Sequence, residues 1–132
     1  MSEHIDQRTM ARLAAVQAIY AKELNADTAS DPKHLLDVNK QKRLNKKMFE
    51  NILASVDNNA AEIDALIENN LSAEWTMERL DKILKAILRA AIAEIKFIGT
   101  DKNLAISEYV VIADSFYEGD EPKFVNALLY KI

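Results

Sequence analysis

Residues 78–95 read ERLDKILKAILRAAIAEI, and the spacing of their apolar side chains decides the fold. Leu80, Ile83, Leu84, Ile87, Leu88, Ala91, Ile92 and Ile95 recur at intervals of three and four, which is helical periodicity. The apolar face they make is too wide for a helix covered on one side, so this segment is expected at the centre of a helical assembly. Thr76 is expected to cap it, with Glu78 in the first turn and Gly99 closing it.

The segments on either side repeat the pattern. Toward the C-terminus, a shorter helix is expected from about Leu104 to Phe116, presenting Ile106, Val110 and Ala113. The last helix begins at Asp120, an N-cap candidate before Glu121 and Pro122. Phe124, Leu128 and Ile132 fall on one face of it, Val125 and Leu129 on an adjacent one. Toward the N-terminus, a first helix is expected from about Arg8 to Leu24, with Leu13, Val16, Tyr20 and Leu24 inward. Arg8 and Arg12, one turn apart, are expected on the same outer surface. Asp31-Pro32 predicts the start of a short helix carrying Leu35, Leu36 and Val38. A longer stretch then stacks Leu44, Met48, Ile52 and Val56, breaks near Asp57–Asn59, and resumes with Ile63, Leu66 and Ile67. The pattern leaves open how residues 33–70 divide. The expectation is an all-α bundle of six to seven helices, with two three-helix sub-bundles as one arrangement. Residues 1–132 make one domain, with residues 1–7 as a flexible N-terminal tail.

Composition fits this reading and removes many chemistries. Of 132 residues, 49% are hydrophobic, and two prolines and two glycines interrupt a chain rich in helix formers. There is no cysteine, which excludes disulfides, thiolate metal sites and cysteine nucleophiles, and fits a reducing compartment. No apolar run approaches the ~20 residues that cross a bilayer. The opening MSEHIDQR lacks a secretory pattern, so a cytoplasmic location is the simplest reading. His4 and His34 have no second histidine at ligand spacing, so no metal site is expected. The glycines form no phosphate-cradling loop, and Met10, Met48 and Met77 read as space fillers. Trp75, just before the expected cap, reads as a helix-packing residue with some exposure. Neither catalysis nor a cofactor is indicated.

Charge is polarised. The net charge is -4, yet residues 1–47 carry nine Lys/Arg against six Asp/Glu and residues 48–132 eight against fifteen. The chain is thus polarised, with a modestly basic front and an acidic back. Ordinary solvated surface produces the same numbers.

Three stretches together resemble the NusB family: R-x-x-x-A-R-x-x-A-V-Q-A-I-Y from Arg8 to Tyr20, the run from Glu78 to Ile95, and K-F-V-N-A-L-L-Y-K-I from Lys123 to Ile132. In order and spacing they cover nearly the whole chain. The resemblance implies a non-catalytic factor that binds boxA-like single-stranded RNA jointly with the ribosomal protein NusE. That assembly helps RNA polymerase in an antitermination complex resist termination, especially on ribosomal RNA operons. It implies RNA contacts from Arg8 and Arg12, whose guanidinium groups pair with phosphate and stack on bases. Gln17 and Lys22 extend that surface. Lys40, Lys42, Arg43, Lys46 and Lys47 are physical candidates for steering the RNA backbone. For the protein partner it implies Asp120 and Phe124, an acid and an aromatic ring at the start of the last helix.

The chain departs from the family's pattern in places. Thr9 and Met10 thin the arginine cluster. V-x-I-N-E-A becomes L-A-I-S-E-Y, with Ser107 and Tyr109; F-G becomes Phe116-Tyr117; F-V-N-G ends in Ala127; Asn70 stands where an aromatic is common. A second reading is therefore a protein-interaction module of the same shape without useful RNA affinity. A third, the accessory domain of an RNA cytosine methyltransferase, needs a catalytic domain after residue 132. Some members form homodimers, which would mask the RNA surface.

Overall fold

The computed structural model describes residues 6–24 and 44–132. Six α-helices and no strands run through them: α1 (Gln7–Leu24), α2 (Lys46–Asn58), α3 (Ala60–Asn69), α4 (Lys82–Ile92), α5 (Lys102–Phe116) and α6 (Glu121–Lys131). The expected short helix at Leu35, Leu36 and Val38 lies outside the described residues, as do His4, His34, Lys40, Lys42 and Arg43. Gln7, placed by the sequence pattern in the tail, opens α1.

The wide apolar face of α4 places it at the centre. It packs against α1, α2 and α3 before it and α5 and α6 after it, while α1 meets α5 directly over a small area. Ile87, Leu88 and Ile92 are fully buried, each contributing roughly 1.5–3 kcal/mol. Alanines dominate the buried face of α1 (Ala11, Ala14, Ala15, Ala18, Ala21) and recur on α4 (Ala86, Ala90, Ala91). Small side chains on both faces let the two backbones approach closely where α1 packs on the central helix.

The helix ends follow local chemistry. Asn59, which caps the end of α2 and precedes α3, makes the break within the expected Asp57–Asn59. Asn45 Oδ1 accepts from Met48 N at 3.0 Å and Asp101 Oδ2 from Leu104 N at 3.0 Å. Thr76 is not the cap of the central helix. It precedes a 3₁₀ turn, Met77–Arg79, and makes no side-chain cap bond. Asp81 caps instead, accepting from Ile83 N and Leu84 N. An aspartate next to the first helical turn reaches donors that Thr76, five residues earlier, does not. Asp120 stands at the N-cap of α6 as expected, but without a side-chain cap bond.

Past Ile92, α4 widens into a π-helical turn, Ala93–Ile98, that ends at Gly99 with φ +94°. The Gly99 and Thr100 amides both donate to the carbonyl of Glu94, at 2.8 and 2.9 Å. This left-handed position is open to glycine at no steric cost.

Candidate functional site

The N-terminal turns of α1 and α2 lie side by side. Asn45 N donates to Gln7 O at 3.2 Å, tying the residue before α2 to the first residue of α1. Arg8, Lys46 and Lys47, all exposed, therefore stand on neighbouring helix N-termini. Those termini also present the positive ends of two helix dipoles. Asp6 Oδ1 accepts from Arg8 N at 2.9 Å and finishes the α1 turn.

Arg12 is not on that surface. The expectation that it shares an outer face with Arg8 is overturned, because it is 3% exposed. Its Nε donates to Glu94 Oε2 at 2.7 Å and its Nη2 to Glu94 Oε1 at 3.1 Å, while Nη1 reaches Glu108 Oε1 at 3.3 Å. Glu94 is fully buried and also accepts from Thr100 Oγ1 at 2.8 Å and Tyr109 OH at 2.6 Å. Glu108 accepts from Thr9 Oγ1 at 3.0 Å as well. Burial alone would disfavour the Arg12 charge; the Glu94 hydrogen bonds and charge outweigh it and raise its proton affinity. Tyr109 is pushed well above the usual phenol range, first by burial and then by the Glu94 charge.

Farther along α1, Gln17 and Tyr20 are half-buried. With Val16, Ile83 and Phe116 they line a groove of about 240 Å³. Gln17 Oε1 is shielded there without a hydrogen-bond partner. Lys22 is exposed and 2.8 Å from Asp57 Oδ1. It lies 14 residues beyond Arg8, about 21 Å along the axis, so the structure does not join it to the Arg8 cluster.

At the start of α6 a second groove, about 310 Å³, is lined by Trp75, Arg79, Leu80, Asp120, Glu121 and Phe124 among others. Asp120 and Phe124 thus share one surface. Trp75 is 45% exposed and tilts 46° against Phe124 with ring centroids 6.3 Å apart, and the Arg79 guanidinium lies 5.9 Å from the Trp75 ring centre. The aromatic floor has an acidic rim. One rim residue, Asp81, accepts a short hydrogen bond from Tyr117 OH, and burial followed by that bond raises the Tyr117 pKa well above its ordinary value. Trp75 thus packs against Phe124 while staying partly exposed, as its place before the expected cap suggests.

A third cluster ties α1, α3 and α4 together. Arg89 donates to both Asp64 oxygens, at 2.9 and 3.1 Å, and to Glu23 Oε1 at 2.7 Å, while Lys85 Nζ lies 2.9 Å from Glu23 Oε2. Burial would raise the Glu23 pKa; the Lys85 and Arg89 hydrogen bonds and charges overcome it and lower the pKa. No group of three or more His, Cys, Asp or Glu able to hold a metal occurs among the described residues. None of their helices is long and apolar enough to cross a membrane.

Comparison with known proteins agrees with this arrangement. The model of the NusB family matches residues 9–132. The transcription antitermination protein NusB of Bartonella quintana (strain Toulouse) is 40% identical over 135 residues, covering 94% of this chain and 86% of its own. That of Gluconobacter oxydans (strain 621H) is 37% identical over 142 residues, covering 92% and 83%. Among solved structures, T. maritima NusB superposes with a TM-score of 0.78 at 27% identity, covering 94% of this chain and 88% of its own. A structure of antitermination factors NusB and NusE in complex with dsRNA superposes with a TM-score of 0.79 at 24% identity, covering 95% and 94%.

Proposed function

This chain belongs to the NusB family, and from that membership we propose that it is a transcription antitermination factor acting without catalysis. It binds boxA-like single-stranded RNA jointly with the ribosomal protein NusE, in the cytoplasm, and joins the RNA polymerase antitermination complex. The observation that carries the RNA half is the Asn45–Gln7 backbone bond, which sets Arg8, Lys46 and Lys47 on adjacent helix N-termini. Exposed cations beside the positive ends of two helix dipoles together suit phosphate oxygens. Gln17 is assigned to the same RNA surface, beside the Tyr20 and Phe116 rings on which a base could stack. Lys22 extends the RNA surface in the same proposal from farther along α1, and Lys42 and Arg43, outside the described residues, join it as steering charges read from the sequence.

The partner half rests on the groove holding Trp75, Phe124 and Asp120. Aromatic anchors with an acidic rim match a basic ribosomal protein, which would be steered by charge and held by ring burial. The structural relative solved with NusE and RNA supports the same pairing.

One observation favours the protein-interaction module without RNA affinity: with Arg12 buried, Arg8 is the one exposed arginine of the pair. Salt-titrated binding of a fluorescent boxA-like RNA, with and without purified NusE and against a scrambled RNA, separates the two. Affinity that depends on sequence and tightens with NusE supports antitermination. Weak binding indifferent to both leaves the interaction module.

A further inference from the structure

The buried network around Glu94 joins the three elements that converge on the start of α1. Its members are Arg12 on α1, Thr100 after the π turn, and Glu108 and Tyr109 on α5. Thr9, next to Arg8, is drawn into the same network through Glu108. On its other side, the first turn of α1 is tied to α2 through Gln7. Arg8 thus projects from a turn gripped at Gln7, Thr9 and Arg12. An exposed arginine on a loose turn would spend binding energy on ordering itself; one on a fixed turn would not.

We propose that Glu94, pinned by the Tyr109 hydroxyl, is a positioning group for RNA binding, acting through Arg12 and the first turn of α1 to aim Arg8. The inference rests on the RNA-binding function proposed above and adds a role for residues that touch no RNA. The Tyr109 phenol supplies a fourth hydrogen bond to the Glu94 side chain, beside two from Arg12 and one from Thr100. Thr100 adds a second donor to Oε1 and the phenol a second donor to Oε2, so each carboxylate oxygen is held from two sides.

The test is a double-mutant cycle with Tyr109→Phe, which removes one hydroxyl, and Arg8→Ala, which removes the proposed contact. RNA affinity is measured at fixed salt beside NusE affinity and hydrogen exchange of the α1 amides. Tyr109→Phe is expected to weaken RNA binding about three- to tenfold, leave NusE binding unchanged and speed exchange at residues 8–12. In the Arg8→Ala background the Tyr109→Phe penalty should vanish. Independent, multiplying penalties would overturn the proposal, as would no loss at all, or an equal loss of RNA and NusE binding. Arg12→Lys keeps the charge but not the fork, and should behave like Tyr109→Phe; RNA affinity equal to the parent's would also overturn it. Failure of the RNA reading looks different: the unmodified protein would not prefer boxA-like over scrambled RNA.

Discussion

Arg12 and Glu94 form a two-point contact, Nε to Oε2 at 2.7 Å and Nη2 to Oε1 at 3.1 Å, with side chains 4% and 0% exposed. Each ion is paid for by the other, so removing one strands the other in the interior. Arg12→Ala should therefore destabilise the protein by about 3–5 kcal/mol, measured by urea unfolding. A change under 1 kcal/mol would mean that Glu94 finds water or a proton instead.

Arg8→Ala should leave stability within about 0.5 kcal/mol, since the side chain is exposed. RNA binding should weaken, and the slope of log affinity against log salt should fall by about 0.7, one single-strand phosphate contact. An unchanged slope would remove Arg8 from the phosphate contacts.

Trp75→Ala should weaken NusE binding by at least ~2 kcal/mol, about thirtyfold, as a central aromatic anchor does. RNA binding in the absence of NusE should not change. Asp120→Asn should act on the association rate instead, with an effect that fades at high salt. Calorimetry and stopped-flow measurements separate the two, and a neutral Trp75→Ala would move the partner off this groove.

Stability should fall at both ends of the pH scale, for opposite reasons. Glu23 is held below its ordinary pKa, so its contribution is present above about pH 4.3 and is lost as pH drops through the folded value. Tyr109 is held above the ordinary phenol value, so its contribution is complete below about pH 10 and is lost as pH rises beyond. Melting temperatures of Glu23→Gln and Tyr109→Phe should vary less on the acid and alkaline limbs respectively. Parallel curves for variant and parent would contradict this assignment.

Gly99→Ala should cost about 1–2 kcal/mol, because φ is +94° there and no neighbouring atom adds to the penalty. Thermal unfolding measures it, and a neutral result would mean the π turn rewinds.

Much of this architecture is legible in the sequence because helical periodicity reports burial directly. The wide face from Leu80 to Ile95 announces a central helix, and Asp57–Asn59 marks a break that the structure puts at Asn59. Capping was harder to read: Thr76 and Asp81 are both good cap residues, and periodicity does not say which begins the α-helix. The burial of Arg12 is not legible from its spacing to Arg8, which fixes an angle but not how deep a face is covered. A signal was present, since Glu94 interrupts the apolar face of the central helix and Arg12 sits among small alanines. A charge in each place, with opposite signs, is what a buried pair requires. The grooves were not legible, because Trp75 and Phe124 lie 49 positions apart and meet only through the fold.

Trp75 is the single tryptophan in the chain. Standing half-exposed beside Phe124 and Arg79, it makes the proposed partner groove a built-in optical gauge. Its emission should shift toward the blue as the groove loses water, with no dye attached. One cuvette can then follow the two ends of the molecule separately: intrinsic emission for the protein partner, a labelled strand for the nucleic acid.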